Sequence, residues 1–362
     1  MPSAPANSRS KTRRPAAPSA RSESSPASMP VAPATRKAAA PAPWQAQVHR
    51  VAHGIRCRVL DHILRHHGGY MSQACSTAEM FATLYLKVMN LGPSQAPMVP
   101  PPFAGVPGRD NPHYTTGAAY NGPRAPQFDR LIFSPAHYAL VLYTTLIEVG
   151  RMAPEGLDQF NRDGSTVEMI GAEHSPGFET TTGSLAQAIS QAGGIALARR
   201  LKGETGRVWV VMSDGEFQEG QTWEAFQALA HYRLDNVGVY VDVNAQQCDG
   251  AMTSVMTIEP LAERLRSFGA RVFEVDGHDP DALAAPAAEA PDGRPMVVLA
   301  KTDPCRGVEP LRERAPTLHY LRFKSKDEEA RYAEWMKTML AEAPAAPATR
   351  PTARKPRRTP AA

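Results

Sequence analysis

Val208-Trp-Val-Val-Met-Ser213-Asp214-Gly215-Glu216, then Glu219-Gly220, then a helical run, then Val237-Gly-Val-Tyr-Val-Asp242-Val-Asn244: the reading of the fold turns on this stretch. An apolar run breaks at Ser-Asp-Gly, a turn sequence. The run that follows has Trp223, Phe226 and Ala230 near one face, and a second apolar run then stops at Asn244. The pattern predicts strand, turn, helix, strand, which is one βαβ unit of a parallel sheet. Its two strands end side by side on oxygen-bearing residues, and open α/β sheets bind ligands at that carboxyl edge.

Asp214 and Asn244 stand 30 residues apart, with a complete helix and strand between them. Alone, Asp-Gly is ordinarily a turn and an Asn after a strand is ordinarily a cap. At adjoining strand ends they become a different object. A carboxylate, an amide oxygen and a nearby backbone carbonyl are hard ligands, suited to Mg²⁺ or Ca²⁺ rather than zinc. Gly215 and the turn after it let backbone N–H groups approach a phosphate. The stretch reads as a Mg²⁺–diphosphate cradle at the end of a sheet.

The flanks extend the pattern. Val48, Val51, Ile55, Val59 and Ile63 recur at helical steps from Trp44 to about His66. A second helix is expected from about Ser76 to Asn90, capped by Ser76 or Thr77, with Glu79 in the capping-box position. Residues 92–127 are rich in Pro and Gly and long for a loop in a compact domain, so they are functional or an insertion. After the run Asp129–Phe133, Ser134 as cap and Pro135 at the first helical position put His137 in the first turn of a helix. A loop over 163–182 contains His174, and Gly183-Ser184-Leu185 opens a helix in which Gly193-Gly194 implies close backbone packing. Beyond Asn244, helix (261–268), strand (271–275), helix (281–289) and strand (296–300) follow, with a last charged helix over 325–341. The alternation predicts an α/β fold: a mostly parallel, doubly wound sheet with helices on both faces.

Composition sets the limits of that domain. Residues 1–43 and 344–362 are Pro, Ala, Ser, Thr and basic residues with almost no large apolar side chains, so both are expected to be disordered tails flanking one domain at 44–343. The tails carry +6 and +5 of a net charge of +4, which leaves residues 44–343 acidic at −7. A pI near 8.9 therefore implies no nucleic-acid groove in the folded part. No apolar run approaches the ~20 residues that span a bilayer, so no membrane role is expected. The N-terminus lacks the apolar core of a secretory signal; it is poor in acids like an organellar transit segment, but its prolines oppose an amphipathic helix. Cys57, Cys75, Cys248 and Cys305 are scattered without a C-x-x-C pair, which suits neither zinc nor a disulfide framework and fits a reducing cytoplasm.

Ser213-Asp214-Gly215-Glu216, Glu219-Gly220 and Asn244 together resemble the thiamine-diphosphate signature, Gly-Asp-Gly followed about thirty residues later by Asn. The longer string Asp-Gly-Glu-Phe-Gln-Glu-Gly-Gln-Thr-Trp-Glu-Ala, with Leu234-Asp235-Asn236 and Cys248-Asp249-Gly250, is most similar to transketolases, and the resemblance covers roughly residues 45–325. It implies the thiamine-diphosphate-binding fold, with Asp214 and Asn244 holding the metal by their side chains and Gln246 by its carbonyl. It implies cofactor contacts at His137, Gly183, Ser184, Leu185, Asp214, Gly215, Glu216 and Asn244. His137, His174, Glu219 and His319 become the catalytic candidates, with Glu219 near a subunit interface. Val275-Asp276-Gly277-His278-Asp279 matches a turn whose role is more structural.

Three positions depart from the family. Ser213 replaces the first Gly of Gly-Asp-Gly. Gly69-Tyr70-Met71-Ser72 stands where the family has Gly-His-Pro-Gly-Gly-Ser, with Tyr70 at the His position. His174 precedes Pro176-Gly177 by fewer residues than its family counterpart. The resemblance further implies the N-terminal subunit of a split, transketolase-like transferase, moving a two-carbon ketol unit between sugars or sugar phosphates. A separate C-terminal subunit with a pyrimidine-binding domain would complete the site, in a dimer of heterodimers. Two alternatives stay open: a component of another thiamine-diphosphate enzyme, such as a 2-oxo-acid dehydrogenase or a pyruvate-using synthase, and a non-catalytic regulatory homologue.

Overall fold

The computed structural model of the chain describes residues 43–112 and 114–342. The two tails expected from composition lie outside the described residues. In chain order the elements are α1 (Pro43–His66), β1 (Gly68–Gly69), α2 (Met71–Thr83), β2 (Arg130–Phe133), α3 (Ala139–Glu148), α4 (Gln187–Leu201), β3 (Val208–Ser213), α5 (Gly220–His231) and β4 (Val237–Val243). There follow β5 (Gln246–Gln247), β6 (Gly250–Ala251), α6 (Met252–Val255), α7 (Leu261–Ser267), β7 (Arg271–Asp276), α8 (Pro280–Ala288), β8 (Met296–Lys301), β9 (Leu321–Arg322) and α9 (Lys326–Ala341).

The central sheet has five parallel strands in the order β2-β3-β4-β8-β7. The predicted βαβ unit is its middle: β3 and β4 pair directly, with Ser213 opposite Asp242. Helices cover both faces, and the period of two along each strand sorts the side chains between them. Val208, Val210 and Met212 of β3 pack with Ile189 and Ala192 of α4, Phe226 of α5 and Leu265 of α7. Trp209 and Val211 face the other way, into a core with α1, α2, α3 and α8. Both faces of β3 are therefore apolar, which is why it reads as a continuous run rather than an alternation. Burying each Val or Met side chain contributes roughly 1.5–3 kcal/mol. Among the described residues no helix is long and apolar enough to cross a membrane.

Three helix starts differ from the sequence reading, each for a tertiary reason. α2 begins at Met71, so Ser76 and Thr77 lie inside it rather than capping it. The Thr77 hydroxyl donates to the Gln73 carbonyl, and that of Ser76 donates to Asp242 Oδ2 at 2.7 Å. Glu79 is buried in a two-pronged pair with Arg56 and a 3.0 Å contact to His278 Nδ1 instead of closing a capping box. Ser134 does not cap a helix either: its hydroxyl donates to Glu216, and a 3₁₀ turn at Ala136–Tyr138 precedes α3. α4 opens at Gln187 rather than Gly183, because Gly183 (φ +114°) and Ala186 (φ +69°) are left-handed. Of the Gly193-Gly194 pair only Gly193 has the close packing expected, since a Cβ there would lie 3.0 Å from Leu229 of α5, whereas a Cβ on Gly194 would meet nothing within 4 Å.

Residues 92–127 are a tethered loop. Arg151 donates to the carbonyls of Tyr120 (2.8 Å) and Gly92 (3.0 Å), and Asn121 to that of Gly177 (3.0 Å).

Gly238 gives β4 room for the Trp209 indole, which Asp129 Oδ2 holds by a 2.8 Å bond from Nε1. A Cβ on Gly238 would come within 2.4 Å of that ring. Gly238→Ala is expected to lower stability by about 1–3 kcal/mol through overpacking, read as a fall in the urea midpoint at unchanged m-value.

Candidate functional site

The site is built where β3 and β4 end. Asp214 opens a 3₁₀ turn (Asp214–Gln218) directly after β3, and Asn244 follows β4. The Ser213–Asp242 register therefore brings Asp214 and Asn244 to one edge. The loop after β4 bends through Ala245 (φ +58°), and its successive amides bind both residues. Ala245 N–H donates to Asp214 Oδ2 at 2.8 Å, and Gln246 N–H to Asn244 Oδ1 at 2.8 Å. Asp214 is 1% exposed, yet its Oδ1 has no hydrogen-bond partner. Burial, with Asp242 close by, pushes the Asp214 carboxyl well above the usual carboxylate range. A desolvated acid with one free oxygen is a cation-seeking group. Among the described residues no three His, Cys, Asp or Glu side chains converge as a metal cluster. The donor set here is instead the mixed carboxylate, amide and carbonyl kind that hard divalent ions accept.

Beside this edge lies a cleft of about 320 Å³, lined by the neighbours of Asp214 and Asn244 rather than by those two side chains. Ser213, Gly215, Gly183, Leu185 and Gln246 line its lower part, and Tyr70, His137 and His319 form one wall. A Cβ on Gly215 would meet only the Gln247 side chain, at 3.8 Å, so backbone there is open to a ligand. The three rings of the wall touch one another: Tyr70–His137 centroids are 5.4 Å apart, Tyr70–His319 5.5 Å and His137–His319 5.1 Å. Burial and the neighbouring His319 lower the His137 pKa to about 3, and burial lowers that of His319 too. Both imidazoles are thus neutral at physiological pH, each with one N–H to donate and one ring nitrogen to accept a hydrogen bond.

The other candidates fall in different places. Glu219 is exposed at the rim of the cleft. Ser184 is exposed beside it and accepts from Gln187 Nε2 at 2.9 Å. Glu216 lies wholly buried under the floor. Its carboxylate accepts from Ser213 N (2.7 Å), Ala186 N (3.0 Å) and the Ser134 hydroxyl, bracing three loops around the cleft rather than facing it. His174 does not line the cleft: its ring packs on Phe103 at 4.5 Å, and its Nε2 sits 3.1 Å from Glu168 without hydrogen-bond alignment. Tyr138 and Asp242 were missed by sequence reasoning. Tyr138 OH donates to Asp242 Oδ2 at 3.1 Å, and Asp242 is 0% exposed. The available signal was an acid within the apolar run Val237–Val243, a residue type almost never buried without a partner.

The fold and cleft are those of an α/β protein of the kind that binds ligands at the carboxyl edge of its sheet. Comparison with known proteins says which. Residues 116–313 match the family described as transketolase, thiamine diphosphate binding domain. The chain is 33% identical over 263 residues to an uncharacterized transketolase family protein of Sinorhizobium fredii, covering 72% of this chain and 84% of that one. It is 30% identical to the 6-deoxy-6-sulfo-D-fructose transketolase subunit SqwG of a Clostridium species, covering 71% and 85%. It is 28% identical to an apulose-4-phosphate transketolase subunit of Actinobacillus succinogenes, covering 70% and 82%. The chain belongs to the transketolase family and carries that family's thiamine-diphosphate-binding domain. Its fold matches the solved transketolase of Campylobacter jejuni with a TM-score of 0.61 at 18% identity, over 83% of this chain. It spans 47% of that enzyme, about half its length.

The low pKa of His137 has a consequence for stability. The native ring resists protonation down to about pH 3, whereas the unfolded ring takes a proton near 6.5. Below about pH 6.5 the unfolded state binds more protons at this group, so the group lowers stability as pH falls, by up to about 1.4 kcal/mol per pH unit. His137→Gln is expected to flatten the fall in unfolding free energy between pH 6 and 4 by about one proton. Urea titrations at each pH measure this, and an unchanged slope contradicts it.

Proposed function

We propose that residues 44–343 form the diphosphate- and metal-holding domain of a split transketolase. Asp214 Oδ1, Asn244 Oδ1 and the Gln246 carbonyl would hold Mg²⁺, or Ca²⁺ with the same donors. The observation that carries this reading is the buried, unpartnered Oδ1 of Asp214, held beside Asn244 at adjoining strand ends. Gly183, Leu185 and Gly215 leave room for the cofactor over that edge. When bound, thiamine diphosphate supplies the carbon nucleophile that takes up a two-carbon ketol unit from a ketose and hands it to an aldose. The chain's own residues bind and orient. Neutral His137 and His319 are placed to hydrogen-bond substrate hydroxyls, while Tyr70 packs against both and closes that wall. His174 stands outside the cleft and has no part in this reading.

The relatives named as transketolase subunits are covered to 82–85% of their length, which supports a separate C-terminal chain as partner. Glu219, exposed at the rim, would then meet that partner, in a dimer of heterodimers. Sugars or sugar phosphates are the substrate class the relatives' names support, and four free cysteines suit a reducing cytoplasm. Tyr70 at the family's His position favours one second reading, a 2-oxo-acid donor.

The test uses the full chain with a C-terminal transketolase partner, assayed for ketol transfer from a ketose phosphate and, in parallel, for 2-oxo-acid decarboxylation. Ketol transfer that requires Mg²⁺ and thiamine diphosphate is expected. Asp214→Ala should lower it by more than about 100-fold, since a bound metal contributes several kcal/mol. Undiminished activity in that variant would falsify the assignment, and decarboxylation without ketol transfer would select the second reading.

A further inference from the structure

Asp242 touches neither the cleft nor any atom proposed to bind the metal, yet four side chains from four segments converge on it. Ser76 of α2, Tyr138 before α3 and Asn244 after β4 donate to its Oδ2, at 2.7, 3.1 and 2.8 Å. Thr302, just after β8, donates to Oδ1 at 2.6 Å. It is 0% exposed, and its acceptor capacity is spent inside the fold.

These four partners are not equivalent. Ser76, Tyr138 and Thr302 carry hydroxyls, which can turn to donate or accept. Asn244 offers an amide, whose two ends are chemically different: the NH₂ only donates and the oxygen only accepts. A carboxylate is acceptor-only, so Asp242 can take the NH₂ end alone. The opposite end, Oδ1, then has to point at the loop amides, where it accepts from Gln246 N–H at 2.8 Å. The preceding amide, Ala245 N–H, is on Asp214. Asp214 Oδ2 and Asn244 Oδ1 are thereby held by consecutive amides of one loop.

We propose that Asp242 is a positioning residue that fixes the orientation of the Asn244 amide, and so decides that oxygen rather than NH₂ is presented to the cation shared with Asp214. An NH₂ group cannot ligate a metal, so an amide free to turn would forfeit one of the donors. This role rests on the reading of Asp214 and Asn244 as metal ligands, and it extends that reading to a residue that never meets the ion. A charge buried this completely burdens the fold unless its partners compensate; the orientation of Asn244 is what that carboxylate secures beyond packing.

The test is Mn²⁺ affinity of the full-length chain, by electron paramagnetic resonance with thiamine diphosphate present, alongside a thermal melt of each variant. Asp242→Ala should weaken Mn²⁺ binding at least tenfold. Thr302→Val and Ser76→Ala each strip a bond from the same carboxylate but leave its hold on Asn244, and should stay within threefold of wild type. Asp242→Asn keeps the shape but offers Asn244 an amide that can meet either of its ends, and should weaken binding at least threefold. Wild-type affinity in Asp242→Ala, or equal losses in Thr302→Val and Ser76→Ala, overturns the proposal. Should Asp242→Ala not fold, wild-type affinity in the folded Asp242→Asn overturns it. A wild-type chain that takes up no Mn²⁺, or an Asp214→Ala variant that still does, overturns the underlying metal reading instead.

Discussion

Two desolvated carboxylates at the ends of neighbouring strands govern this structure. The β3–β4 register sets Ser213 beside Asp242, so the two acids, Asp214 and Asp242, are buried at one sheet edge. Burial opposes the charge on both, and the nearby Asp242 further opposes the charge on Asp214. Asp242 receives hydroxyl and amide donors on both oxygens, where bonds to a charged acceptor contribute roughly 1.5–3 kcal/mol each. Asp214 is compensated on one oxygen only. The imbalance distinguishes the two acids: the fold satisfies both oxygens of one and leaves an oxygen of the other without a partner.

The same economy recurs around the cleft. Glu216 has no exposed surface, and its carboxylate joins the loop after β2, the turn before α4 and the end of β3. Glu79 joins α1 to the turn after β7 through Arg56 and His278. Burial opposes the Glu79 charge, but Arg56 and His278 outweigh it and bring its pKa to about 2. His278 Nε2 in turn accepts from Asp303 N–H at 2.8 Å, which leaves its Nδ1 proton for Glu79. That bond anchors the segment from which Thr302 reaches Asp242. Loops that could differ in conformation are thus each tied to a buried acid that would be costly to leave unsatisfied.

Legibility followed the range of the interaction. The βαβ unit, both flanking helical patterns and the Asp214–Asn244 pair could be read because apolar periodicity and turn chemistry are local. The helix starts at α2, α3 and α4 could not. Ser76, Glu79 and Ser134 are good cap or capping-box residues by type, but partners 166, 199 and 82 residues away took their side chains. A local rule compares a side chain only with its own backbone, and here distant charged groups offered stronger bonds. The histidines divide in the same way. His137 sits next to a strand end and was placed by that; His319 joins it only because β1 pairs with β9, and His174 is drawn off to Phe103 by a tethered loop.

By itself the sequence determined that this chain builds a parallel sheet with hard oxygen donors on two consecutive strand ends, since strand, turn and spacing are written in neighbouring residues. Only the tertiary structure decided which acid is left partly unpaired. Asp214 and Asp242 are equally acidic as residues, and both follow apolar runs. Hydroxyls from α2, from the turn before α3 and from the loop after β8 meet Asp242 and miss Asp214 Oδ1. Those donors are brought together by packing on one face of the sheet, over chain separations that no local pattern records.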